Sequence, residues 1–298
     1  MSTSKPTKNK LQALKHDFDS LRKGKESLLA MIDETEIPEG VYNSNAIENS
    51  TLTLKETEKI LLAMEVSRDV SLREVFEAKN LARVTEYIRN KSQELTIDKE
   101  TMLLLHQMLI GGINDEIAGR FRRHGEYVRV GTHIAPAPEH IIDLLDSLIQ
   151  TYAHDSGTFI PDTIARFHLE FENIHPFIDG NGRIGRVLMN AQLLKNGFPV
   201  VIIRDKEKKE YYRSFDEYRF KKNTKTMEKV VALALMESLH KRITYLKGDK
   251  IITLADYAKD QKTSSPALLN AARRQNIPAF REKGVWKIGE GHVYRPGK

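Results

Sequence analysis

Two stretches of helical apolar periodicity, joined by one short glycine-rich loop, limit what this chain can fold into more than any other feature. In residues 162–174 the apolar positions Ile164, Phe167, Phe171 and Ile174 fall on one helical face. Ile184, Val187, Leu188, Ala191 and Leu194 repeat the pattern further on, and Asn196-Gly197 followed by Pro199 stops it. The loop between them reads IHPFIDGNGRIGR, from Ile174 to Arg186. Such a chain must bury two helices side by side and present a polar loop at one end of the pair.

The remainder reads mainly as helix. Leu11, Leu14, Phe18, Leu21, Leu28 and Ile32 predict one amphipathic helix, and Pro38 and Gly40 interrupt it. A short helix follows over about residues 41–50. Thr51 or Thr53 caps another that runs toward Met64, with Glu56 in its first turn. Residues 70–94, 98–111, 207–222 and 225–246 are helical in pattern. The stretch EYVRVGTHIAPA, residues 126–137, is β-branched and alternating with Gly131 at its middle, which predicts a short hairpin. Lys247-Gly248-Asp249 reads as a linker. Beyond it Thr253 caps a helix through Lys259, and Ser264 or Ser265, with Pro266, starts another through Gln275. IPAFREKGVWKI then predicts a hairpin turning near Lys283-Gly284. Helix, turn, helix and ribbon describe a winged helix-turn-helix.

Composition narrows the class. A length of 298 residues suggests about two domains, and 40% apolar with 30% charged residues describes a soluble globular chain. The longest apolar runs, such as Val200–Ile203, are far too short to span a bilayer, and the polar start MSTSKPTKNK has no signal-peptide core. We therefore expect no membrane partner. The absence of cysteine excludes disulfides, thiolate nucleophiles and cysteine-based zinc sites, and is compatible with the cytoplasm. A net charge of +6 permits binding to nucleic acid or to nucleotide phosphates, although scattered lysines read equally as a solvated surface.

The loop has a definite chemistry. Gly180, Asn181 and Gly182 immediately precede a helix, so bare backbone and free first-turn N–H groups meet at the positive end of a helix dipole. That is an anion site suited to phosphates. Arg183 and Arg186 lie on one side of the first turns, and guanidiniums hold phosphate oxygens through paired donors. Asp179 beside phosphates calls for a cation between them, and one carboxylate plus phosphate oxygens is a usual magnesium site. His175 has the side chain suited to proton abstraction near neutrality, and the surrounding positive charge disfavours its imidazolium form. Phe177 reads as an anchor of the loop in the core. Each residue alone has a plainer structural reading, as a core histidine, a turn or a cap; the joint spacing is what argues for a site.

His175 to Arg186 matches the motif His-x-Phe-x-(Asp/Glu)-Gly-Asn-Gly-(Arg/Lys)-x-x-Arg at every specified position. The chain thereby resembles the Fic (filamentation induced by cAMP) family over roughly residues 40–245. The resemblance implies a mainly α fold: a Fic-type helical core with a β-hairpin flap. To this the C-terminal winged helix-turn-helix-like domain is added. The expected division is a helical region over 1–110, a Fic core over 111–247 and the C-terminal domain over 250–298. It further implies an enzyme that moves AMP from ATP to a Ser, Thr or Tyr hydroxyl of a target protein and releases pyrophosphate; the lack of cysteine leads us to expect it in the cytoplasm. On that resemblance His175 is the general base and Asp179 holds Mg²⁺ on the α- and β-phosphates. Gly180, Asn181 and Gly182 line the anion hole, while Arg183 takes the β-phosphate and Arg186 the γ-phosphate. The flap, Val128, Arg129, Val130, Gly131, Thr132, His133 and Ile134, pairs with an extended target segment. Tyr211 or Tyr212 walls the nucleobase or packs in the core.

A second stretch, SNAIEN, places Ser44 and Glu48 one helical turn apart. Beside a Fic core it resembles the inhibitory pattern Ser/Thr-x-x-x-Glu-Gly/Asn of the class II members, in which the glutamate takes the motif's last arginine, here Arg186. Some members with such a glutamate instead remove AMP, with the glutamate orienting water, and this alternative stays open. So do self-modification, pairing of the N-terminal helix with a second copy, and a reading of another class: a DNA-binding regulator working through residues 250–298. There Arg273 and Arg274 lie on the second helix and Arg281 and Lys283 on the ribbon.

Overall fold

The computed structural model describes residues 3–66, 69–131, 133–155 and 158–293. Helix α1 (Lys5–Leu21) is followed by α2 (Glu26–Ile47). The single helix expected from Leu11 to Ile32 is thus two, because Gly24 sits at φ +72° and turns the chain between them. The interruption expected at Pro38 does not occur: α2 runs straight through it, and residues 41–47 form its last two turns. A proline inside a helix removes one ladder hydrogen bond. Here the loss is offset by burial of Ile37 and Val41 and by ion pairs of Glu36 and Glu39 to neighbouring elements. The apolar face of α1 packs on the long helix α10 (Lys225–Lys247) of the same chain, with Leu11 and Phe18 buried.

Thr53 rather than Thr51 caps α3 (Leu54–Glu58), in a full capping box with Glu56. One wider π turn (Lys59–Ala63) continues it. Next come α4 (Leu72–Lys91) and α5 (Lys99–Ile110), capped by Ser71 and Asp98. The expected hairpin is β1 (Arg129–Val130) antiparallel to β2 (His133–Ile134), with Arg129 opposite Ile134. Thr132, also expected in the flap, lies outside the described residues. Then follow α6 (Ile141–His154), α7 (Ile160–Ile174), α8 (Asn181–Lys195) and α9 (Lys208–Lys221), which precedes α10.

Helices α7 and α8 stand at the centre of the molecule. Phe167, Phe171, Ile174, Ile184, Val187 and Leu188 belong to one apolar core shared with α2, α4, α5 and α6. Ile164, Leu169, Met189 and Leu193 belong to a second core, shared with α1, α9 and α10. Burial on both sides, rather than on the single face the periodicity predicts, fixes the loop between these helices from all directions. The first core draws on residues before and after position 110 alike, so the helical region and the loop-bearing helices pack as one body.

The last segment has its own small core, around Leu254, Tyr257, Leu268, Ile277 and Ile288. It consists of β3 (Ile251–Thr253), α11 (Leu254–Asp260), α12 (Ser265–Arg273), β4 (Phe280–Glu282) and β5 (Val285–Gly289). The two helices and the hairpin follow the expected order. An added strand, β3, joins the ribbon in an antiparallel sheet of order β3-β5-β4. Among the described residues no helix is long and apolar enough to cross a membrane.

Candidate active site

The loop from α7 to α8 is held by backbone geometry first. His175 ends α7 in the left-handed region at φ +52°, where a non-glycine residue is uncommon. Its N–H donates to the Phe171 carbonyl at 2.9 Å. Gly180 takes φ +83° just before α8, and an added Cβ there would press on Leu109 and Ile110. The side chain of Asn181 turns inward and clamps the loop from both sides. Its Oδ1 accepts from the Phe177 N–H at 2.9 Å and its Nδ2 donates to the Phe177 carbonyl at 2.8 Å. Asn181 therefore offers only its backbone to an anion. Phe177 is fully buried and stacks on His106, ring centroids 3.8 Å apart.

Several supports were not legible in the sequence. The His106 imidazole bridges the loop to α5: Nε2 lies 3.0 Å from the Asp179 carbonyl and Nδ1 accepts from the Gly119 N–H at 3.0 Å. Arg122, buried ahead of the hairpin, donates from Nε to the His175 carbonyl at 2.9 Å and from Nη2 to the Pro136 carbonyl at 2.9 Å. It thus ties the hairpin to the loop. His133 on β2 reaches the Asn173 carbonyl at 3.1 Å and ties the hairpin to α7. The other flap residues, Val128, Arg129, Val130, Gly131 and Ile134, line the exposed or half-exposed ribbon, and Ile134 is 69% exposed.

The charged groups form two sets. Asp179 accepts from Arg73 of α4 at 2.7 Å and from Arg183 at 3.2 Å. Burial opposes its ionisation, but Arg183, the Gly180 N–H and Arg73 outweigh it and hold the carboxyl below its ordinary range. Arg183 is buried and also pairs with Glu77 of α4 at 3.2 Å. Neither Arg73 nor Glu77 was marked by any local pattern. Arg186 makes the second set. Its Nε donates to the Ser44 hydroxyl at 2.9 Å, and its Nη2 donates to the Ser44 carbonyl at 2.8 Å and to Glu48 Oε1 at 2.9 Å. From below, its Nη1 reaches the Tyr211 hydroxyl at 3.3 Å. A Cβ added to Gly182 would stand only 2.2 Å from Glu48 Oε1, so the carboxylate lies directly over the first turn of α8. Tyr211 is buried under Arg186 and bonded to His168, with no ring face toward solvent. Tyr212, 40% exposed, donates its hydroxyl proton to the Ile47 carbonyl at the end of α2.

Behind the loop lies a buried carboxyl that sequence reading missed. Glu172 Oε2 is 3.8 Å from His175 Nδ1, and its Oε1 has no hydrogen-bond partner. Burial, and next the nearby Glu48, push it up to about 8, so it is neutral at physiological pH. Gly185 makes room for it: a Cβ there would meet Glu172 Oε1 at 2.5 Å and His168 at 2.8 Å. Burial, with Arg122 and Arg219 nearby, lowers His175 to about 4, which leaves its imidazole neutral and able to accept a proton.

These shifts set a pH window for stability. Burial also lowers His106 and His240 to about 4 and His168 to about 3, from an ordinary 6.5. Between pH 6.5 and about 4 the unfolded chain binds protons on these histidines that the folded chain does not, so stability falls as pH falls. Glu172 acts oppositely, because the folded chain keeps a proton that the unfolded chain loses above 4.5, up to about 8. Below pH 6.5 the histidines outnumber it; above 6.5 their contribution fades and that of Glu172 remains. The unfolding midpoint followed by circular dichroism should therefore peak near neutrality and fall by roughly 10 °C from pH 7 to pH 5. An unchanged midpoint over that interval would show that these imidazoles are not held neutral.

A helix N-terminus, two arginines, a carboxylate and a neutral imidazole on one loop and helix start are groups suited to an anion such as phosphate. Residues 96–193 match the Fic/DOC family, and the chain carries a Fic/DOC domain there. A protein adenylyltransferase Fic of Nematostella vectensis is 34% identical over 183 residues, covering 59% of this chain and 42% of the relative. One of Drosophila persimilis is 34% identical over 175 residues, covering 58% and 34%. Each match spans less than half of the curated relative. Fic-1 from C. elegans superposes with a TM-score of 0.69 at 25% identity, over 80% of this chain and 70% of that one. A Fic domain containing signaling protein from Bacteroides thetaiotaomicron shares the fold at a TM-score of 0.74 and 24% identity, over 80% and 97%. A Fic family protein from Desulfovibrio desulfuricans shares it along 98% of both chains, at 0.69 and 21%.

Proposed function

We propose that this chain is an autoinhibited protein adenylyltransferase. It transfers AMP from ATP to a Ser, Thr or Tyr hydroxyl of a target protein. The observation that carries the reading is the site on the loop and α8. A neutral His175, the first-turn N–H groups of α8, and Arg183 with Arg186 lie along one loop and helix start, and Glu48 lies over the same helix turn. The names of the matched relatives point the same way.

In the proposed reaction the target hydroxyl oxygen attacks the α-phosphorus and its proton passes to the His175 imidazole. The bond from the α-phosphorus to the bridging oxygen breaks, and pyrophosphate leaves. Backbone N–H groups at the start of α8, Arg183 and Arg186 stabilise the charge that grows on it. Asp179 is ionised and 37% exposed beside that helix start, which fits a divalent cation carried in by the phosphates, although Arg73 already contacts the same carboxylate. Among the described residues no cluster of three or more protein ligands could hold a metal alone. When bound, the cation would draw charge from the phosphate oxygens. The exposed edge of β1 and β2 would align the target, and Tyr212 is the aromatic ring still open to a nucleobase. The functional division we propose is the helical region 1–110 carrying the inhibitory turn, the core 111–247 and the C-terminal unit 250–298. A chain without cysteine suits the cytoplasmic setting we propose for it.

The test is a cell lysate incubated with the Glu48→Gly protein and ATP labelled at either the α- or the γ-phosphate. Label should enter protein, the chain itself included, only from the α position; label from the γ position would mean phosphate transfer and would overturn the reading. The position of Glu48 over Gly182 also suits AMP removal with an oriented water, and the wild type added to pre-adenylylated target reads that directly. A DNA-binding role has narrower support. Arg273 and Arg274 are exposed, whereas Arg281 is bound to Glu237 and Glu207, and Lys283 to Glu58. Gel shifts of the full chain over a salt titration separate true phosphate contacts from none.

A further inference from the structure

The helix that brings Ser44 and Glu48 to Arg186 is gripped on another side by the C-terminal unit. Glu39 of α2 is only 5% exposed, and it receives the turn of the β4–β5 hairpin: the Lys283 N–H donates to Oε2 and the Gly284 N–H to Oε1, both at 3.0 Å. Arg204 completes its partners. Around this contact Arg281 on β4 pairs with Glu237 of α10 at 2.6 Å and with Glu207 at 2.7 Å. Lys241 bridges Glu36 of α2 at 3.0 Å and Glu282 of β4 at 3.1 Å. Lys283 reaches Glu58 of α3 at 2.9 Å. Arg281 and Lys283 of the ribbon are thus paired with acids of this chain, Arg281 inward and Lys283 at the surface.

Two physical points make this contact more than packing. A buried carboxylate that loses donors is unfavourable, so Glu39, which keeps Arg204 in either case, is held less firmly once the hairpin turn leaves it. Pro38, its neighbour, contributes no N–H to the helix ladder. The last turns of α2 are therefore joined to the rest of the helix by a weakened ladder, and depend the more on outside contacts.

We propose that the β4–β5 hairpin is a latch on the inhibitory helix: drawing it off Glu39 loosens residues 41–47, frees Arg186 from Glu48 and admits nucleotide. The inference rests on the reading of Glu48 as inhibitory. It makes Glu39 a positioning residue for Glu48, and the C-terminal unit the place where a signal would enter. Coupling of this kind is reciprocal, so nucleotide at α8 should also loosen the hairpin.

The test uses the full chain. Arg281→Ala weakens the hairpin from outside α2, and Glu39→Gln weakens its receptor without loss of volume. Each should speed amide hydrogen exchange over 41–47 and tighten ATP binding in calorimetry, both by about tenfold. Neither should tighten it further in a Glu48→Gly background. Should either variant fold poorly, a saturating non-hydrolysable ATP analogue on the wild type should speed exchange over 280–289. Faster exchange in the hairpin alone, with 41–47 and ATP affinity as in the wild type, would overturn the latch. So would a hairpin that keeps its wild-type exchange when nucleotide is bound. If Glu48→Gly itself leaves ATP affinity unchanged, the fault lies in the inhibitory reading and the latch falls with it.

Discussion

Replacing Glu48 by glycine should tighten ATP binding and raise the rate of AMP transfer, each by about one to two orders of magnitude. The carboxylate occupies one of the guanidinium edges of Arg186 at 2.9 Å and covers the first turn of α8, where it is the nearest group to Gly182, ahead of Arg186 itself. Hydrogen bonds to charged groups contribute roughly 1.5–3 kcal/mol, which corresponds to about ten- to a hundredfold in affinity. About a third of the Glu48 side chain remains exposed, at 35%, so water screens part of that pairing and the lower end of the range is the safer expectation. After the change Arg186 still has Ser44 and Tyr211 to hold its orientation, and gains a free edge for a phosphate. Arg186→Ala should abolish transfer even in the Glu48→Gly protein, because the phosphate-binding group itself is then gone. Calorimetry with ATP and incorporation of α-label measure both effects. An affinity that does not change on loss of Glu48 would mean that the contact is merely structural.

The second large effect concerns His175. In the Glu48→Gly background, His175→Ala should cut transfer by about two to four orders of magnitude while ATP affinity stays within a few-fold. The imidazole contributes a proton acceptor. The parts of His175 that hold the loop are its backbone groups, which bond to Phe171 and Arg122. Alanine is strained at a positive φ, so His175→Asn, which tolerates that conformation better, is the control and should show the same loss. The acid side of the rate profile follows from the shift to about 4: the base stays neutral well below pH 6, and His175 imposes no fall in rate between pH 8 and pH 6. A variant that keeps more than about a tenth of the transfer rate would remove His175 as the base.

Much of the site could be read along the chain because its parts are close in sequence. Gly180, Gly182, Arg183 and Arg186 are placed by one loop and one helix turn, and Ser44 with Glu48 by another. The groups that were missed come from elsewhere. Arg73 and Glu77 lie on α4, His106 on α5 and Arg122 ahead of the hairpin, each ordinary in its own neighbourhood and brought to the loop only by packing. Tyr211 shows the same limit in reverse. Its sequence position suits a nucleobase wall, yet it is buried as the floor beneath Arg186.

Local sequence by itself determined the helices with strong periodicity, the capping box at Thr53, the turn at Gly131 and the phosphate-seeking character of Gly180–Arg186. These follow from backbone sterics and from side chains within a turn of one another. Only the tertiary structure decided that α2 continues through Pro38, that Glu48 covers Gly182, that Glu172 stays protonated behind His175, and that Arg281 and Lys283 pair with acids of other elements. Those outcomes depend on burial and on charges supplied by distant segments, and water-excluded surroundings are a property of the packed chain rather than of any stretch of it.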